Sequence, residues 1–191
     1  MLMLLTGLLL LLGVHSIHLL APAWRTRMMT RLGPGPWKGL YSLVSLAGFV
    51  LICAGYAAAR QSPLVLWLPP LPLRHVATLL MLPALILLLA TYLPRNGLRA
   101  RLHHPMLLAT KLWAFAHLLA NGMLHDVLLF GCFLLWAIAA FAVARRRDRA
   151  AGRVYAPGTL RATVITVAAG AVVWGLFVAG LHALLFGVAP L

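Results

Sequence analysis

Acidic residues are almost missing from this chain. Asp126 and Asp148 are the only two, and there is no glutamate. General acid–base chemistry by paired carboxylates needs two such groups to converge. These two fall in different predicted loops, so that class is excluded. The same shortage argues against an oxygen-rich calcium or magnesium site. Cysteine is nearly as scarce. Cys53 and Cys132 each stand alone inside an apolar run, with no CxxC pair for zinc or thiol–disulfide chemistry. They read as small apolar packing residues. No phosphate-binding glycine loop, HExxH helix or nucleophile elbow is present, and nothing points to hydrolysis or phosphoryl transfer.

Charge of any sign is thin as well. Only 9% of the 191 residues are charged, against 63% apolar. A water-facing globular surface needs about a quarter charged. The composition therefore predicts an all-α, polytopic transmembrane bundle in a single domain, residues 1–191, with the lipid bilayer as its main partner. The net charge of +14 does not indicate nucleic acid, because the cations sit in short loops between apolar runs.

The apolar runs predict about six spans, at roughly 3–21, 38–59, 75–92, 104–122, 124–144 and 160–187, each close to the length a hydrocarbon core of about 30 Å requires. Ala21-Pro22-Ala23 loosely resembles a signal-peptide cleavage site. The amino-terminal region lacks Lys and Arg, however, and His15 and His18 interrupt the run, so a retained span is expected. Residues 22–38 read as a basic loop broken by the Gly-Pro-Gly-Pro at 33–36. Tyr41, Ser42, Ser45 and Gly48 are small or polar packing positions on the second span. Residues 60–74, rich in proline and carrying Trp67, suit the membrane interface. Pro83 is expected to kink the third span.

Orientation is set by the cations. Arg25, Arg27, Arg31 and Lys38, then Arg95, Arg99 and Arg101, then Arg145–Arg147, Arg149, Arg153 and Arg161 all fall on one side. Arg60 and Arg74 fall on the other, and Lys111 lies within a span. The positive side faces the cytoplasm, so both termini are expected outside a bacterial inner membrane.

Polar side chains inside spans are costly and tend to be functional. The stretch His104–Gly122 holds several. At 3.6 residues per turn Trp113, His117 and Asn121 share one face, with Thr110 beside it, and Pro105 suits a first helical turn. Asn121-Gly122 is expected to end the helix as a carboxy-terminal cap. Lys111 can snorkel to the headgroups. The topology sorts the eight histidines into a basic-side tier (His15, His18, His103, His104) and an outer tier (His75, His117, His125, His182). Imidazole suits haem iron, copper and zinc, although a buried histidine in a bundle more often bonds a backbone carbonyl. His15 and His117 lie deepest. His103 and His104, beside Arg99 and Arg101, suit interfacial anchoring or a lipid-phosphate contact. Asp126 stands where it can orient His125.

The segments WKGLYSLVSLAGFVLI (Trp37–Ile52) and HPMLLATKLWAFAHLLANG (His104–Gly122), with VHS at Val14–Ser16, resemble the NnrU family of bacterial membrane proteins over nearly the whole chain. That resemblance implies a link to denitrification and nitric oxide metabolism. The pattern is also similar to plant zeta-carotene isomerase, a haem-containing membrane enzyme. Its proposed haem ligands, in an HS motif and a FAH motif, correspond to His15 and to His117 here. The resemblance thus implies haem b held by His15 and His117, with Trp113 and Asn121 near it. Two departures stand out. A cysteine implicated in the isomerase's ligand exchange is Ala114 here. The expected boundaries also place His15 about six and His117 about thirteen residues from the basic ends of their spans, an axial offset of roughly 10 Å. A looser similarity to isoprenylcysteine-type methyltransferases, through the basic-His-Pro corner, lacks that family's acidic motif. The expectations are therefore a haem protein, an assembly factor for membrane protein partners, or an enzyme acting on an isoprenoid or lipid substrate.

Overall fold

Proline placement decides where the helices of this chain begin. In a computed structural model, which describes residues 1–190, Pro22, Pro34 and Pro105 each open a helix. There the missing N–H costs nothing and the fixed φ favours the first turn. The chain divides into two compact units, residues 1–66 with 123–132 and residues 67–122 with 133–191.

The first unit holds α1 (Leu2–Leu20), α2 (Pro22–Leu32), α3 (Pro34–Ala59) and the first turns of α7 (Leu124–Ala150). α1 and α3 pack backbone to backbone. A Cβ on Gly7 would lie 2.6 Å from the Ile52 nitrogen, one on Gly48 2.8 Å from the Leu11 nitrogen, and one on Gly55 would overlap the Leu4 nitrogen. Small residues allow such approach where lipid supplies no hydrophobic drive. The short lead into α7 is held by Leu124 N–H donating to the Leu64 carbonyl at 2.9 Å.

The second unit holds α4 (Leu71–Tyr92), α5 (Gly97–Leu102), α6 (Pro105–Ala120), the rest of α7, α8 (Leu160–Leu176), a π-helical turn (Phe177–Leu181) and α9 (His182–Phe186). α4 packs on α6 and α8 and runs unbroken through Pro83. Asn96, 1% exposed, joins α4 to α5. Its amide donates to the carbonyls of Ala90 (2.9 Å) and Leu93 (2.6 Å), and its oxygen accepts from Arg99 N–H (2.8 Å). It thereby satisfies backbone groups that both helix ends leave open.

Among the described residues, five helices of 19 to 27 residues are long and apolar enough to cross a membrane: α1, α3, α4, α7 and the run Leu160–Phe186. α6 is apolar but only 16 residues long. At 1.5 Å per residue it spans about 24 Å, less than a hydrocarbon core. The expected loop at 22–38 is instead largely helix. The only break is Gly33, whose φ of +83° L side chains avoid, because Pro34 and Pro36 both fit the opening turn of α3. Asn121 does end α6, but in extended conformation (φ −131°, ψ 133°) rather than a left-handed cap. The contacts of its neighbour Gly122 require the extended path. The Gly122 carbonyl accepts from Trp67 N–H at 3.2 Å, and a Cβ on Gly122 would overlap the Trp67 carbonyl oxygen. Cys53 is exposed rather than packed.

Candidate functional site

Each of the two promoted histidines is placed by its own helix. In the first unit, His15 is half-buried, and its Nδ1 lies 2.8 Å from the Leu11 carbonyl one turn back. A carbonyl only accepts, so Nδ1 carries a proton. The His15 ring leans on Tyr41 of α3, centroids 5.2 Å apart at 57°. Tyr41 also lines a cavity of about 360 Å³ with His18, Arg25, Trp37, Lys38 and Ser42, and His15 is not in that lining.

In the second unit, His117 repeats the arrangement. Its Nδ1 donates to the Trp113 carbonyl at 2.8 Å. The two other polar residues of the α6 face serve it or its neighbours. Asn121 donates from Nδ2 to the His117 carbonyl at 2.8 Å. Trp113 packs against His117 (5.4 Å) and edge-on against Phe133 (5.4 Å, 89°). His117 and Asn121 line a cavity of about 160 Å³ with Arg74, Thr78, Trp174 and His182. Trp113 is not part of that lining. His182, from the outer tier, lies 6.5 Å from His117 between ring centroids and donates from Nδ1 to the Val188 carbonyl at 2.6 Å. The sequence put both histidines in the outer tier but did not pair them. The pairing arises because the chain after Gly187 (φ +72°) folds back to line the same cavity. Trp174 Nε1 donating to the Thr78 carbonyl at 2.8 Å ties α8 to α4 beside it.

A histidine that ligates a metal usually donates its other ring N–H to a carbonyl or carboxylate, which fixes the tautomer and aims the lone pair. His15 and His117 both meet that condition, so the donor chemistry at these residues fits haem iron. Ala114, where the isomerase has its cysteine, is fully buried and brings no sulfur to α6.

Several of the remaining polar residues are engaged by the protein itself. Each of the chain's two carboxylates collects a histidine and a tyrosine. In the first unit Tyr56 donates to Asp126 at 2.5 Å, with His125 Nε2 at 3.6 Å from the same oxygen. His125 and Asp126 are both buried, and His125 Nδ1 has no hydrogen-bond partner among the described residues. In the second unit Asp148 receives His104 Nε2 at 2.8 Å and the Tyr155 hydroxyl at 2.6 Å. Burial, and then the hydrogen bond to Asp148, raise the Tyr155 pKa above the ordinary phenol range. His103, at φ +69°, stacks on Tyr155 at 4.1 Å and accepts from Arg145 at 2.6 Å. The His103–His104 corner is thus a latch closing α6, α7 and the loop after α7. Lys111 places Nζ 3.8 Å above the Phe141 ring, a cation–π contact. Neither tyrosine was marked by the sequence as a partner of an acid, because each lies on a different element from its carboxylate or across a turn from it.

Comparison with known proteins finds no match among curated proteins or solved structures. The profile of the family described as NnrU protein matches residues 3–190. With nearly every residue covered, and with apolar helices that imply a bilayer, the chain belongs to the NnrU family of multi-pass membrane proteins.

Proposed function

We propose that this NnrU-family protein acts in the inner membrane in denitrification or nitric oxide metabolism, as a haem b protein whose candidate ligands are His15 and His117. The family is linked to denitrification genes. The observation that carries the haem reading is the shared state of the two imidazoles. Each spends its Nδ1–H on a carbonyl one turn back, the bond by which a protein orients a ligating imidazole. The resemblance to zeta-carotene isomerase selects the same two residues. A haem iron held there supplies reversible binding of a small nitrogen oxide and one-electron chemistry. The chain's own part would be to orient the two imidazoles through their Nδ1–H bonds.

The test is the absorption spectrum of the detergent-purified full chain, oxidised and dithionite-reduced, for wild type, His15→Ala and His117→Ala. Split reduced bands of the b type in wild type, weakened or shifted in each variant, are expected. A colourless protein from haem-replete cells overturns the reading.

A second reading has its own support. Many large apolar side chains face outward on the membrane helices, among them Leu43, Phe49, Leu135 and Val172. A membrane assembly factor would use such faces to hold a respiratory enzyme. It predicts that a reductase or oxidase subunit co-purifies and that function survives loss of both histidines. Substrate handling of an isoprenoid at the His103–His104 corner has less support, because those imidazoles are engaged by Arg145 and Asp148.

A further inference from the structure

The two membrane helices of the first unit run antiparallel, and their basic ends meet under a short third helix. Gly7 faces Ile52 and Gly48 faces Leu11 across the pair, so the end of α1 comes to the start of α3. α2 bridges those ends. Its 11 residues reach about 16 Å, too short to cross a bilayer. It carries Arg25, Arg27 and Arg31 together with Trp24. A basic helix of this kind between two spans lies along the headgroup layer. Trp24 packs edge-on against the buried Trp37 of α3, centroids 5.7 Å apart at 72°, and so holds α2 to the spans.

The corner between the three helices contains the cavity of about 360 Å³. Arg25 and Lys38 bring two permanent cations to it, His18 an imidazole, and Tyr41 and Ser42 hydroxyls. Ile17, Met29 and Trp37 make the rest of its wall apolar. Neither cation has an acidic partner among the described residues. The unit's one carboxylate, Asp126, is taken by Tyr56, about four turns further along α3 than Tyr41. Arg25 is half-buried, whereas His18, Lys38 and Ser42 are exposed. An opening lined by exposed polar groups suits a ligand that arrives from the headgroup layer rather than one enclosed by protein.

Three properties select that ligand. Two cations without carboxylates and two hydroxyls call for an anion with several acceptor oxygens, as a phosphate diester offers. No carboxylate is present to receive a ligand ammonium, so an ethanolamine headgroup would set its own cation unpaired beside Arg25 and Lys38. The apolar wall, in a corner between two membrane spans, suits a molecule that continues as acyl chains. Basic pockets between membrane helices hold anionic headgroups in this way.

We propose that Arg25 and Lys38, with Tyr41 and Ser42 as hydroxyl donors, bind the phosphate of an anionic phospholipid such as phosphatidylglycerol. The site goes beyond the haem reading and stands without it. A lipid held there ties α2 and the start of α3 to the same headgroup.

The experiment titrates the delipidated full chain in detergent with phosphatidylglycerol, phosphatidylethanolamine or inorganic phosphate, and reads bound ligand per chain by native mass spectrometry. Wild type is compared with R25Q/K38Q and with R27Q/R31Q, which removes two cations of α2 outside the cavity lining. Wild type is expected to bind a single phosphatidylglycerol at least about tenfold more tightly than phosphatidylethanolamine. R25Q/K38Q should lose at least about tenfold in affinity for phosphatidylglycerol, because its charge-assisted bonds to phosphate are gone. R27Q/R31Q should stay within about threefold of wild type at about 0.15 M salt, where exposed charges are screened. Equal affinity of wild type for the two lipids overturns the proposal, whether or not R25Q/K38Q folds. An equal loss in R27Q/R31Q also overturns it, by showing a general charge effect. Inorganic phosphate that binds as tightly as phosphatidylglycerol and displaces it would make this a free-phosphate site, and the lipid assignment falls.

Discussion

Tyr56 and His125 sit on the same buried carboxylate, yet their removal should have opposite consequences. Tyr56→Phe deletes the hydroxyl that holds Asp126 at 2.5 Å and leaves a buried acid short of a donor. The expected cost is about 1–3 kcal/mol, read as a fall in the thermal midpoint of the detergent-solubilised protein. His125→Phe keeps a ring edge-on to Tyr56, now 5.0 Å away, and removes a buried nitrogen without a partner. It should be neutral or slightly stabilising in the same assay. A loss equal to that of Tyr56→Phe would mean that His125 contributes a charge the geometry does not require. Among the candidate ligands, the sequence already singled out His15 and His117 by depth in their spans. It could not single out His182. The contact between His182 and His117 depends on a left-handed glycine and a returning tail, and neither leaves a periodic trace in the sequence.

At the scale of helices, the close pairing of α1 with α3 makes a sharp prediction. Gly55→Leu forces a side chain into the backbone of Met3 and Leu4. Overpacking of this kind costs at least about 1–3 kcal/mol, and a monodisperse peak on size-exclusion chromatography should shrink or vanish. Gly13→Ala meets nothing within 4 Å and should leave that peak intact. The sequence marked Gly48 as a packing position. Gly7 and Gly55 became legible only when the register of the two helices was known. Helix boundaries divide in the same way. Hydropathy located the spans, whereas the helix at Pro22–Leu32 was hidden by proline and glycine that break a helix in its interior and open one at its first turn.

For the molecule in its membrane, the distribution of arginine and lysine predicts that the carboxy terminus and the turn at residues 121–123 lie outside and the loop at 151–158 inside. An alkaline phosphatase fused after Val188 should be active, and a green fluorescent protein inserted at Gly152 should fluoresce. The reverse pattern would invert the topology. Asp148, in the last turn of α7, latches that loop through Tyr155. Asp148→Asn keeps the size of the side chain but removes the charge that draws His104 and Tyr155 together. It should make the loop at 151–158 more sensitive to protease added to inside-out vesicles, without changing insertion.

Composition and hydropathy by themselves determined that this is a helical membrane protein. Apolar length, sparse charge and segregated cations are properties of residues taken one at a time, and the bilayer reads them that way. Local motifs were enough to identify the family and to mark His15 and His117. Only the tertiary structure decided which polar groups meet. It joined Tyr56 to Asp126 and Tyr155 to Asp148, brought His182 beside His117, and gathered Arg25 and Lys38 into one cavity with His18. Those meetings depend on helix register and on single-residue turns such as Gly33 and Gly187. A change of one residue there rotates a face by about 100°, and hydropathy does not register it.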